Sequence, residues 1–164
     1  MGCTKIYTNT LLGGGNGWGT PYRTMAAKMV EMLDSALTIM QVPDLSSEHM
    51  GPVAGTINNM YALFAGGLTV NGAYNRLVEA YGDNLTKLMT TELPGPVTAG
   101  CGGSLPNYAI FKSGAVLYAY NSNLTYTEIG LTLYGIPSAT NSASLSLGNL
   151  VIISGGYNPR TTTP

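Results

Sequence analysis

The stretch LLGGGNGWGTPYR, Leu11 to Arg23, joins a strand-like run to a helix-like one through five glycines in seven positions. Loops of that kind hold phosphate on backbone N–H groups at a helix N-terminus. The spacing excludes the two best-defined forms. A dinucleotide fingerprint needs glycines at i, i+2 and i+5, but Gly13 and Gly15 are followed by Trp18, and Gly15 and Gly17 by Thr20. A P-loop needs Gly-Lys-Ser/Thr entering the helix, but this loop enters through Gly19, Thr20 and Pro21, with no lysine between it and Lys28. The loop reads as a hinge, with Trp18 as an aromatic anchor for this chain or a neighbour.

His49 is the single histidine, so a metal site or a histidine-assisted nucleophile must use it. On a helix, its neighbours at a spacing of three or four supply no second ligand. Cys101 in AGCGGS has no orienting partner or signature around it, and reads as a loop cysteine without catalytic duty. Cys3 and Cys101 are compatible with an intrachain disulfide, an interchain disulfide or two free thiols. Seven of the eight carboxylates fall on or beside expected helices, as a solvated face requires, and Glu128 alone stands in a strand-like region. No catalytic, metal or cofactor site is expected. The expected contact residues are aromatic: Trp18, then Tyr118, Tyr120, Tyr126 and Tyr134 on adjacent strands, with Arg160 in the terminal arm. Tyrosines so placed also pair across strands and cover one another.

These residues are set in an unusual composition. Only 9% of the chain is charged, against about 25% in ordinary soluble domains, while 45% is hydrophobic and the net charge is -1. Four lysines and three arginines are scattered singly, which excludes the basic footprint of a nucleic-acid binder. A surface of hydroxyls, amides and backbone has little charge repulsion to keep copies apart, so self-association is expected. Eleven tyrosines and many Val, Ile and Thr exclude disorder. No secretion signal is read at Met1, which implies cytoplasmic synthesis. The uncharged run Gly51 to Val70 is broken by Asn58, Asn59 and glycines, and reads as a buried helix pair or hairpin, not a membrane span.

The elements expected to position these residues make an α+β chain, with an N-terminal helical part of about three helices followed by a C-terminal antiparallel β meander or sandwich. Residues 1–20 are an extended arm and glycine-rich hinge, and 21–92 are helical. The first helix is capped by Thr20 and Pro21 and carries a stripe of Met25, Met29, Met32, Leu33, Ala36 and Met40. A second runs from Ser46 or Ser47 to Phe64, and a third begins near Asn71. Residues 93–106, with four Gly and three Pro, form a linker. Residues 107–156 are five strands, and 157–164 are a loose or partner-docked arm.

Cytoplasmic synthesis, a nearly uncharged surface and loose ends together imply a non-enzymatic structural subunit of a large assembly. The expected setting is a bacteriophage virion assembled in the host cytoplasm, as a capsid decoration, head-fibre or tail component that acts through self-association and arm exchange. The expected partners are further copies and other structural proteins, with no nucleic acid and no membrane. The alternative expectation is a β module that binds a glycan or host surface, carried on a helical attachment domain.

Overall fold

The computed structural model describes residues 1–6, 9–15, 28–88, 91–97, 100–114, 116–130 and 142–155. Among them are fourteen strands and no helical element. The expected helical region is instead β3 (Val30–Leu33), β4 (Ile39–Gln41), β5 (Val53–Ile57), β6 (Tyr61–Ala65), β7 (Val78–Tyr81) and β8 (Lys87–Leu88). The expected N-terminal arm contains β1 (Gly2–Ile6) and β2 (Asn9–Gly13), and the expected linker contains β9 (Cys101–Leu105). The strand-rich remainder holds β10 (Tyr108–Ser113), β11 (Val116–Tyr120), β12 (Tyr126–Gly130), β13 (Ala143–Leu147) and β14 (Leu150–Ser154). The helix start at Thr20 and Pro21, and the arm 157–164, lie outside the described residues.

The physical reason for the missing helices lies in β6 and β7. A strand covered on both faces loses the alternation that marks a strand, and its apolar run is indistinguishable from a buried helix by periodicity. Ala62 and Phe64 enter one core with Tyr81, while Leu63 and Ala65 enter another with Val78 and Ala80. The supposed methionine stripe has a different origin. Met32 and Met40 are cross-strand partners of one hairpin, brought together by a turn between them.

The topology repeats. β1 to β4 form an antiparallel sheet in chain order, and so do β5 to β8 and β9 to β12. A single parallel pair, Ile57 with Leu105, joins the second and third into one curled eight-stranded sheet. Ile6, Leu11, Val30 and Met32 of the first sheet share a core with Phe64 and Tyr81 of the second. The second and third enclose the other core, of Ile57, Leu63, Phe111 and Tyr120 among others. Four-stranded sheets stacked face to face beside their first strands are arranged as the blades of a β-propeller are. Hairpin β13–β14, packed on β9, stands where the first two strands of a fourth blade belong.

Each blade reuses the same local chemistry. The loops Asp34–Thr38, Gly82–Thr86 and Asn121–Thr125 all have a backbone hydrogen bond from the first amide to the last carbonyl. In each, the fourth residue returns its amide to the first carbonyl. That residue is Leu37, Leu85 or Leu124, with φ of 62°, 62° and 58°, the left-handed position of a three-residue hairpin loop. Oδ1 of Asp34, Asn84 and Asn121 accepts from the following amides and fixes the bend. Just past the second strand of each blade, Gly14 N donates to Met29 O as Gly66 N does to Leu77 O, and Gly15 N to His49 O as Gly67 N does to Val97 O.

The first strands approach so closely that side chains are excluded. A Cβ on Gly55 stands 2.7 Å from Gly103 O, and one on Gly102 collides with the Ala54 carbonyl. Replacing Gly102 by Ala is therefore expected to destabilise the chain by about 2 kcal/mol or more. Leu37→Gly is expected to stabilise it by about 0.5–1 kcal/mol, because Leu37 is exposed and its left-handed backbone is relieved. Urea unfolding of the two variants beside the parent checks both signs.

Candidate functional site

The densest cluster of reactive side chains lies on the loop that leaves the first blade and on β7 of the second. Glu79 belongs to the β7 face turned toward the first blade, and it is buried. Its carboxylate accepts from Ser46 N at 2.7 Å, Ser47 N at 3.1 Å and His49 Nε2 at 3.1 Å, with Lys87 Nζ 3.5 Å away. His49 is fully buried, with Nδ1 2.7 Å from Gly66 O. Ser47 Oγ lies 3.0 Å from His49 Nε2 and accepts from Asn75 Nδ2 at 2.7 Å.

Serine, histidine and glutamate in contact invite comparison with an acyl-transfer triad, and the geometry differs from one. In a triad the carboxylate takes the Nδ1 proton and leaves Nε2 to accept from serine. Here Glu79 shares Nε2 with Ser47, and Nδ1 is spent on a backbone carbonyl. His49 Nδ1 meets Gly66 O, Nε2 is shared by Ser47 Oγ and Glu79, and Ser47 Oγ donates to Glu79 at 3.4 Å. With both nitrogens engaged, and the carboxylate on the same nitrogen as the serine, the ring is not set up as the base of a triad. Burial alone raises the Glu79 carboxyl, but hydrogen bonds from His49 and from the Ser46 and Ser47 amides outweigh it and hold the group down at about 2. The cluster therefore clamps the inter-blade loop onto β7.

The other expected site residues are dispersed. Tyr120 is fully buried and Tyr118 nearly so, both in the core between the second and third blades. Tyr126, half-buried, packs edge-on to Tyr118 with centroids 5.8 Å apart, and lies 5.6 Å from Tyr120. Tyr120 OH donates to Thr91 O at 2.8 Å. Burial pushes its phenol up to about 12 despite a hydrogen bond with Thr91, and burial followed by the Glu128 charge raises that of Tyr118. These rings cover one another and do not stand on an open sheet face. Trp18, Tyr134 and Arg160 lie outside the described residues.

Cys3 is exposed on β1, Cys101 is buried on β9, and both are free thiols. The ring nitrogens of His49 are engaged by Gly66, Ser47 and Glu79, so Cys101 has no base there. Gly14 and Gly15, in the first half of the glycine-rich loop, spend their amides on the Met29 and His49 carbonyls. Among the described residues no group of three or more His, Cys, Asp or Glu is placed to hold a metal ion.

Two features escape a reading by residue type. The first is a line of hydroxyls across the first strands. Lys5 N donates to Thr56 Oγ1 at 3.4 Å, Thr56 N to Ser104 Oγ at 2.8 Å, and Ser104 N to Ser146 Oγ at 2.7 Å. The four residues are equivalent, each one pair back from the β1–β2, β5–β6, β9–β10 or β13–β14 hairpin end. Beside this line lie two clefts, one of about 340 Å³ that includes Thr56, Asn58, Asn59 and Ser104, and one of about 330 Å³ that includes Thr10, Lys5 and Ser146.

The second is the orientation of β13–β14. Its serines face the protein, where Ser144 Oγ donates to Gly102 O, Ser146 meets Ser104 N, and Val151 fills the space above Gly103. Its other face carries Leu145, Leu147, Leu150 and Ile152, which are 48–64% exposed. Cross-strand pairing of Leu145 with Ile152 and of Leu147 with Leu150 makes them one patch.

No protein-family model matches the chain, and no curated protein matches its sequence.

The clamp sets an acid limit on stability. A carboxyl held at about 2 in the fold, against 4.5 ordinarily, gives stability that is fully present above pH 4.5 and lost as the pH falls toward 2. On the order of 3 kcal/mol is at stake. Glu79→Gln is expected to flatten this dependence and to lower stability at pH 7, as urea unfolding between pH 7 and pH 2.5 will show.

Proposed function

We propose that the chain is a non-enzymatic structural subunit of a large assembly, of the kind a bacteriophage virion uses in capsid decoration, head fibres or tails. The observation that carries this reading is the apolar surface left outside at the two ends of the blade series. At one end Leu37 and Ile39 are 76% and 66% exposed beside the edge strand β4. At the other is the leucine face of β13–β14. A monomer's largest apolar patch commonly marks a contact site, and a chain with 9% charged residues and a net charge of -1 opposes association with almost no electrostatic term. The exposed edges of β4 and β12 offer main-chain groups to neighbouring structural proteins, the β counterpart of arm exchange.

A second reading rests on the cleft lined by Thr56, Asn58, Asn59 and Ser104. Hydroxyls and amides suit the neutral, polyhydroxylated surface of a glycan, and the tight turn at Asn58 and Asn59, with φ of 53° and 55°, sets those side chains at its rim.

Light scattering of the purified chain, under reductant and across concentration, is expected to give masses well above 17.1 kDa. The association should persist in 1 M salt, because it depends on apolar contact and not on charge. A monodisperse monomer at high concentration overturns the assembly reading. Glycan-array binding that Asn59→Ala abolishes, in a chain that stays monomeric, establishes the second reading instead.

A further inference from the structure

The blade series has a direction. One face of every blade is turned to the next: Leu11 and Gly13 of the first blade lie under the second, where a Cβ on Gly13 meets the Phe64 ring at 2.7 Å. Leu63 and Ala65 of the second blade lie under the third. Lys112 of the third blade points toward the fourth, reaching Ser142 Oγ at 3.5 Å. The strand pairings make Leu145 and Ile152 the fourth-repeat equivalents of Gly103 and Ile110, and of Gly55 and Leu63. The leucine face of β13–β14 is therefore the forward face of the fourth repeat.

The first blade has the converse vacancy. Its forward face, Thr4, Ile6, Leu11 and Met32, is buried, whereas its backward face carries Cys3, Lys5, Thr10, Leu12 and Leu33, all exposed or half-buried. In the second and third blades the equivalent positions, such as Ala62 and Ala109, are buried against the preceding blade. Among the described residues, two unlike faces of a contact made three times inside the chain are thus left open. The chain does not bring them together itself, because Leu145 and Ile152 remain 64% and 48% exposed.

We propose that the forward face of β13–β14 docks on the backward face of the β1–β4 blade of a second copy, so that copies join head to tail. This rests on the reading of the chain as a self-assembling subunit and names the surfaces that would do it. The contact continues the internal blade stacking. By register Leu145 holds the place of Thr4, which keeps a side chain between the first and second blades and meets Thr56 Oγ1 there, and it faces Thr10 and Leu12 of the next copy. The four aliphatic side chains expose on the order of 400 Å², so two faces bury about 800 Å², the size of a weak, concentration-dependent contact and not of an obligate one. The hairpin cannot turn its leucines inward instead, since a one-residue slip would remove Ser144 and Ser146 from the Gly102 carbonyl and the Ser104 amide. An unlike pair of faces closes into a ring or runs on as a filament, and two copies would bring eight repeats together, within the range that closed propellers use.

One position in the joint differs from the internal ones. The hydroxyl that accepts from the preceding blade is Thr56, Ser104 or Ser146 inside the chain, but the equivalent on the first blade is Lys5, which has no acceptor. Lys5→Ser supplies one to the Ser146 amide and is expected to tighten the contact severalfold.

The test is sedimentation of the full chain under reductant, with the folding of every variant checked by thermal melting. Leu145→Thr with Ile152→Thr, on the forward face, and Leu12→Thr with Leu33→Thr, on the backward face, are each expected to weaken association tenfold or more. A mixture of the two variants retains one intact joint and is expected to form pairs and nothing longer. As an independent check, Leu145→Cys with Thr10→Cys in a Cys3→Ser background should give interchain disulfides on air oxidation. Association that survives the backward-face variant overturns the head-to-tail joint and leaves the assembly reading standing, whereas a wild-type monomer up to millimolar concentration overturns both. Pairs that never grow support the joint and count against the large assembly. Transfer of the leucine face to phosphatidylcholine vesicles in place of self-association overturns the joint as well.

Discussion

Everything in this chain is arranged around backbone meeting backbone at the first strands of the blades. Gly55, Gly102 and Gly103 let β5, β9 and β13 approach to a distance at which a Cβ meets a carbonyl oxygen or a methyl group. Strands brought this close, but paired only at Ile57 and Leu105, leave amides and carbonyls facing a neighbour that is not a ladder partner. An unpaired buried amide costs about as much as a lost hydrogen bond. Hydroxyl side chains meet that cost, because Thr56, Ser104 and Ser146 each take the amide of the preceding strand. Small residues and hydroxyls at fixed places on the first strands thus decide how far apart the blades stand, and the blade spacing decides which side chains are buried.

From that spacing come the two cores and the clamp between the first and second blades. The second blade is covered on both sides, so its strands are apolar throughout, and the one carboxylate on β7 has to be neutralised and fully hydrogen-bonded in place. His49, Ser46, Ser47 and Lys87 do this from the loop and the strand that flank it. The group of residue types with the most catalytic look is, by geometry, an inter-blade fastener. The tyrosines have a similar history: Tyr118 and Tyr120 fill the wedge between the second and third blades, where a large ring with a polar tip reaches from the core to a backbone carbonyl.

Part of this was legible in the sequence through its repetition more than through its periodicity. LLGGG, LFAGG, IFKSG and IISGG recur at the ends of β2, β6, β10 and β14, and DSALT, GDNLT and NSNLT mark the turns of three blades. A search for recurrence at intervals of forty to fifty residues is the signal that finds the blades. A reading of local pattern finds the β10–β11 hairpin by its turn at Ser113 and Gly114 and β13 by its Ser/Leu alternation, and misreads the blade that is buried on both faces. Gly and Pro near Cys101 argue locally against a strand, yet glycine is what a strand needs where another backbone crosses it.

The sequence by itself determined how little charge the chain carries, since charge, hydroxyl and apolar content are sums over residues and do not depend on the fold. It also determined the tight turns, because Asp34, Asn84 and Asn121 act on the two to four residues that follow them. Only the tertiary structure decided which way β13–β14 faces. Its two faces are Ser-rich and Leu-rich, and either could in principle turn inward. The hydrogen-bonding needs of β9 and the bare backbone of Gly103 settle it in favour of the serines, which leaves the leucines outside as an exposed apolar face.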